Sequence, residues 1–227
     1  MPFFLIVVFG LLVVGVIILG HYAAAKRRNE LSQWAASQGW RFSPDRISGL
    51  EHQYPGFQLL KQGSDRYAYN IIRGIFKDLN ILAFDYHYET HSTNSKGHRQ
   101  THHHHFSAVI LETPHVLKSL FIRAEGFFDK LTEFFGFDDI DFESAEFSRK
   151  FFVKAEDRRW AYDVIHTRTM EFLLDSPRFT IQFHGRHMFA GRSTTFKITD
   201  FQDAMGVLMG ILDRFPDYLT KQLKGEL

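Results

Sequence analysis

The longest uninterrupted apolar run lies at the start of the chain. Residues 3–19 read FFLIVVFGLLVVGVIIL, with no polar side chain. A helix rises ~1.5 Å per residue, and a bilayer core is ~30 Å thick, so about 20 apolar residues span it. The run reaches that length through Gly20, Tyr22 and Ala23–Ala25, with only His21 interrupting. Residues 3–22 therefore read as a transmembrane helix that uses the lipid bilayer as its partner. Backbone groups in lipid must be bonded internally, which enforces the helix despite its many β-branched residues. A cleaved secretory signal fits less well: no basic residue precedes Phe3, and the apolar core is longer than the usual 7–15 residues.

Beyond the run the pattern changes period. Leu31, Trp34 and Ala35 fall on one face of a predicted helix over 26–38, with Gly39 as its stop. Strand signals follow at 57–60, 67–76 (YAYNIIRGIF), 81–88 (ILAFDYHY), 106–111 and 120–123. The polar tetrapeptide Lys77-Asp78-Leu79-Asn80 suits a turn between two of them. A short helix is predicted over 125–135 and a strand over 150–154. Asp157 reads as the N-cap of a helix carrying Trp160, Ala161, Val164 and Ile165, and Thr167 as the cap of its continuation. Residues 179–183 and 188–190 suggest a hairpin around His184-Gly185-Arg186. Phe201, Met205, Leu208, Met209 and Leu212 recur at helical spacing, Pro216 ends that helix, and a last helical piece follows. Short strands with turn-length gaps favour antiparallel pairing. The fold class is thus α+β: an N-terminal transmembrane helix, residues 3–22, and one antiparallel-sheet domain with flanking amphipathic helices, residues 26–227, with a possible sub-division near 125–145.

Charge adds orientation. Lys26, Arg27 and Arg28 follow the span, and no Lys or Arg precedes it. Basic residues are retained in the cytoplasm, so the expected topology is single-pass in the plasma (inner) membrane, N-terminus outside and domain cytoplasmic. The chain has no Cys, which excludes a disulfide framework and thiol catalysis. Lys and Arg total 27 against 26 Asp and Glu, a formal charge of +1 that gives no nucleic-acid footprint. The 25 Phe fall mostly in strand-like and amphipathic stretches, as core residues do.

Several stretches resemble a family of uncharacterised bacterial membrane-anchored proteins: ELSQWAASQGWRF, NIIRGIFKDLNILAFDYHY, IDFESAEFSRKFFVKAEDRRWAYDVI and MGVLMGILDRFP. The resemblance implies an anchored α+β plan and a bacterial source. It carries no catalytic residue. In that family the hairpin loop after the DYHY-like strand is polar, whereas here it is packed with His.

Seven of the thirteen His lie between His87 and His105. In an extended chain His102 and His104 share one face, His103 and His105 the other. If 81–88 and 106–111 form a hairpin, His87 comes near this run. His87, His102, His103, His104 and His105 are then candidate ligands for Zn²⁺, Ni²⁺ or Cu²⁺, all of which accept neutral imidazole. No Cys or carboxylate at a familiar ligand spacing completes the set, and the plainer expectation is a solvated loop with no metal. A pH response is a further reading, since imidazole titrates near ~6.5.

Elsewhere, no phosphate loop, nucleophile elbow or H-E-x-x-H is present. His184 and His187 are expected to be solvated at a turn. Asp138, Asp139, Asp141 and Glu143 lack the calcium-loop spacing and read as a solvated acidic loop. Gly20-x-x-x-Ala24 is a weak small-residue pair for helix association. No catalytic set emerges. The expected function is a membrane-anchored cytoplasmic interaction or scaffold module with an unknown protein partner, no cofactor and no enzymatic activity. The alternative is a metal- or pH-responsive module built on residues 87–105.

Overall fold

A computed structural model describes residues 2–94, 97–124 and 140–225, with side chains from Val8 onward except Leu11. The helix expected over 125–135, the acidic pair Asp138 and Asp139, and most of the possible sub-division near 125–145 lie outside the described residues.

The apolar run and the amphipathic segment after it form one helix, α1 (Pro2–Ser37). Its halves differ in what covers them. Phe9, Leu12, Val16, Ile17 and Leu19 are exposed, while Leu31, Trp34 and Ala35 are buried. Gly39 (φ 70°) turns the chain out of the helix in the left-handed region, as its position in the sequence suggests, and Trp40 N donates to Ala35 O at 2.8 Å.

Among the described residues the sheet has six strands: β1 (Arg41–Ser43), β2 (Ser64–Phe76), β3 (Leu79–Thr93), β4 (Arg99–Ala124), β5 (Phe151–Ala155) and β6 (Thr180–Arg192). All pairings are antiparallel. The turn between β2 and β3 is tight: Lys77 (φ 47°) and Asp78 (φ 67°) both sit at positive φ, the twist a two-residue hairpin needs. β4 is the spine. β3 and then β5 pair along one edge of it, and β6 along the other.

Four local expectations are corrected. The strand expected at 57–60 is a 3₁₀ turn (Gln58–Lys61), because Phe57, Leu59 and Leu60 all bury into one core, which a strand's alternation would forbid. The stretches 106–111 and 120–123 belong to the single strand β4, whose register slips between Glu112 and Leu120 around Pro114, a residue with no N–H for a ladder. The hairpin expected around His184-Gly185-Arg186 is also one strand: Gly185 (φ 57°) pairs with Leu117 at an irregularity in the ladder. Thr167 does not cap its helix. His166 holds the N-cap position and Thr167 is the first helical residue.

The helices pack mainly on one face. Besides α1 and the short α2 (Leu50–Gln53) they are α3 (Ala145–Lys150), α4 (Arg158–Val164), α5 (Thr167–Asp175), α6 (Ile198–Leu212) and α7 (Asp217–Lys224). Asp157 Oδ1 accepts from Trp160 N at 3.1 Å, so α4 starts where its capping residue predicts. The larger core joins Leu31 and Trp34 of α1 to Phe201 of α6 and to the odd-numbered β3 residues Ile81 and Ala83. The smaller core, on the other face, joins Leu59 and Leu60 to the even-numbered Phe84 and Tyr86. Covering both faces explains why ILAFDYHY is a continuous run and not an alternating one.

Candidate functional site

Along β3 the odd positions run Ile81, Ala83, Asp85, His87, Glu89, His91, turning from apolar to polar at Asp85. Asp85 is fully buried. Its carboxylate accepts from Arg27 Nε (2.8 Å) and Nη2 (2.6 Å), from Asn70 Nδ2 (2.8 Å) and from Ser107 Oγ (2.5 Å). Arg27 also donates through Nη1 to Phe196 O at 2.8 Å. Asn70 takes a positive φ of 50° where the β2–β3 register slips, and this bulge aims its amide at Asp85. Burial alone would lower the Arg27 pKa, but the bond to Asp85 and its charge outweigh that and raise it. Arg27 thus serves as a clamp between α1 and the sheet as well as a flanking charge. The sequence signal was a lone Asp in a buried apolar run.

Beyond Asp85, β3 and β4 continue as a two-stranded ribbon. His87 pairs with His105, Glu89 with His103 and His91 with Thr101. The segment expected as a solvated loop is therefore ordered strand up to a short tip. Asn94 Oδ1 closes that tip by accepting from His98 N at 2.9 Å. The alternation inferred from sequence holds. His102 and His104 lie on the other face: His104 stacks on Tyr88 with 4.7 Å between ring centroids and lies 2.8 Å from Thr90 Oγ1, and His102 Nε2 lies 2.8 Å from Ser92 Oγ.

On the Asp85 face, His87 Nε2 lies 3.2 Å from His103 Nδ1, which lies 3.1 Å from Glu89 Oε1. Ligand atoms of these three residues all fall within 4.8 Å of one another. His105 flanks them, its ring centroid 4.9 Å from that of His87 and its Nδ1 3.1 Å from Tyr69 OH. Of the five candidate His, the fold brings together His87 and His103, with His105 adjacent. The residue that sequence reasoning missed is Glu89. It supplies the carboxylate thought to be lacking, two positions from His87 and hence on the same strand face.

Two imidazoles of the ribbon, one on each face, differ from an ordinary surface His. His104 is held below its usual pKa by burial and then by the charges of His102, His87 and His103. His105 is lowered by burial and then by His87 and His103, with Asp85 opposing. Burial and then Asp85 push the Tyr69 hydroxyl well above its ordinary range.

A concavity of 650 Å³ lies at the other end of the sheet between Trp40, Tyr54, Arg73, Glu112 and His187. His187 lines it edge-on to Tyr54, and burial lowers its pKa against the pull of Glu112. His184 faces elsewhere and is exposed, its Nδ1 3.2 Å from Ser119 Oγ. Of the acidic residues flagged in sequence, Asp141 contributes its backbone carbonyl to Tyr162 OH at 3.2 Å.

The fold defines a class: an α+β protein in which one apolar N-terminal helix runs into an antiparallel sheet with helices packed on it. Among the described residues that helix is the one long and apolar enough to cross a membrane. Within this class the chain is similar to the crystal structure of the mycobacterial trehalose monomycolate transport factor A, TtfA. The likeness has a TM-score of 0.57 at 10% identity, over 82% of this chain and 92% of that one. No protein-family model matches the sequence, and no curated protein is similar to it.

Proposed function

We propose that this chain is a single-pass membrane-anchored module that works by interaction, as a scaffold or adaptor in a membrane assembly, and not by catalysis. Residues 3–22 hold it in the plasma (inner) membrane, with the N-terminus outside and the domain in the cytoplasm. The observation that carries the reading is the continuity of α1. The helix passes from exposed apolar residues such as Val16 and Leu19 to buried Leu31, Trp34 and Ala35 with no linker. A flexible tether would let the domain range widely. A clamped helix instead presents one fixed face to neighbours in the membrane and raises its effective concentration there.

The fold likeness to a transport factor supports a role in a transport process at the membrane. The near-neutral charge speaks against nucleic acid as partner. The test is co-purification of the tagged full chain from native membranes, followed by the same experiment on Arg27→Ala. Stoichiometric recovery of a membrane protein with the full chain, reduced by Arg27→Ala, is expected. Recovery of no partner, or undiminished recovery with that variant, would contradict the reading. Deletion of residues 90–104 separates the alternative: loss of partner recovery in that variant would move the interaction to the ribbon.

A further inference from the structure

Three side chains with metal-ligating atoms converge on one face of two adjacent strands, and one of them, His87, is fixed from outside the trio. His87 is buried, with 3% of its surface exposed. Its Nδ1 lies 3.1 Å from Asp65 O. A carbonyl oxygen can only accept, so the proton of the neutral ring sits on Nδ1 and the lone pair on Nε2. That lone pair faces His103 Nδ1, 3.2 Å away.

The carbonyl that sets this tautomer is itself placed by an irregularity. Asp65 has a φ of 48°, inside the register shift between Ser64 and Tyr67. Tyr67 stacks on the His87 ring with centroids 4.5 Å apart, and the Arg46 guanidinium covers Tyr67 at 4.4 Å. A backbone carbonyl holding the far nitrogen and a packed ring are the features that orient a metal-bound imidazole.

We infer that His87 Nε2, Glu89 Oε1 and His103 Nδ1 form a binding site for a divalent first-row transition ion, with Zn²⁺ the best match. Two imidazoles and one carboxylate are a donor set of borderline hardness, suited to Zn²⁺. The spacing agrees. Metal bonds of ~2.0–2.2 Å at tetrahedral or octahedral angles place neighbouring ligand atoms about 2.9–3.4 Å apart. The contacts between His87 and His103 and between His103 and Glu89 are 3.2 and 3.1 Å, and the third pair, His87 and Glu89, lies within 4.8 Å. Proton chemistry satisfies the trio less well. With His103 neutral, one Nδ1 proton must serve two acceptors, whereas a cation at the centre serves all three. The His103 side chain is 60% exposed, so the remaining coordination positions open to water. His102 and His104 lie outside the site, on the opposite face and occupied with Ser92 and Thr90.

This face selectivity provides the test, and it is independent of any partner. The full chain in detergent is titrated with Zn²⁺ against a chromophoric chelator of known affinity. One ion per chain is expected. Glu89→Gln keeps the size of a side chain that is 17% exposed, so it leaves the fold intact while removing a charged ligand. Glu89→Gln and His103→Ala should each weaken Zn²⁺ binding by at least ~100-fold, beyond what loss of an orienting group alone causes. His102→Ala with His104→Ala should change it less than about two-fold, although that pair belongs to the same run of four His. Binding below one ion per chain, Glu89→Gln equal to wild type, or an equal loss in the His102/His104 variant would overturn the assignment, the last by revealing non-specific capture by the His run.

Discussion

The two halves of α1 are one helix by backbone and two by environment. From Val16 to Lys26 every residue is exposed and the side chains up to Leu19 are apolar. From Leu31 onward the helix is amphipathic, and its apolar face is in the main core. Between them stands Arg27, bonded to a carboxylate that water does not reach. An apolar surface of the first kind suits lipid, and one of the second kind a packed sheet. The protein joins the two surfaces with a charge pair and no loop. A buried pair is a poor way to gain stability, since the desolvation of both ions offsets their attraction. It is a good way to fix geometry, because the Arg fork meets the carboxylate at two points.

The largest effect is expected at the joint. Arg27→Ala leaves Asp85 buried with only Asn70 and Ser107 as donors, and should destabilise the domain by about 3–5 kcal/mol in denaturant unfolding. A loss below about 1 kcal/mol would mean that the clamp does not hold the halves together. Next in size is the contrast between Leu31→Ala and Val16→Ala. The first opens a cavity and should cost about 2–5 kcal/mol. The second, at a position 69% exposed, should leave unfolding of the domain in detergent unchanged. Equal effects would erase the distinction between the halves.

The smallest effect concerns a group away from the joint. The folded pKa of His187 is lowered from 6.5, chiefly by burial. The unfolded chain therefore binds the proton more tightly. Stability should be full above pH 6.5 and fall as pH drops toward the lowered folded value. Replacing His187 with Asn should flatten that slope, and the slope should persist in Arg27→Ala if the sheet's far end is independent of the clamp.

Much of this was legible in sequence. The apolar run, the Leu31–Trp34–Ala35 face and the cap at Asp157 all follow from local spacing, and the structure places them accordingly; of the turn expected over Lys77-Asp78-Leu79-Asn80, Lys77 and Asp78 form the turn while Leu79 and Asn80 already pair in β3. What local spacing cannot supply is register. Arg27 reads as a topology signal because its partner lies 58 residues away. The His run reads as a loop because nothing local shows that β3 and β4 stay paired past His87. Once they do, a period of two places Glu89 beside His103, so the carboxylate of the site was visible but unpaired. Strand 180–192 reads as a hairpin for a related reason: a Gly between two His looks like a turn, and only the partner residue Leu117 shows it to be an irregularity.

As proposed, α1 is a membrane span that enters the domain without a break and leaves the domain in the cytoplasm. The chain has no Cys, so single cysteines can be introduced without background. The most direct measurement is labelling of single-Cys variants at positions 9, 12, 16, 19, 24 and 28 with a membrane-impermeant maleimide, in intact cells and in inverted membrane vesicles. Positions 9 to 19 should be protected in both, and positions 24 and 28 labelled only in inverted vesicles. Labelling of 24 and 28 in intact cells would reverse the orientation, and labelling of 9 to 19 throughout would remove the anchor.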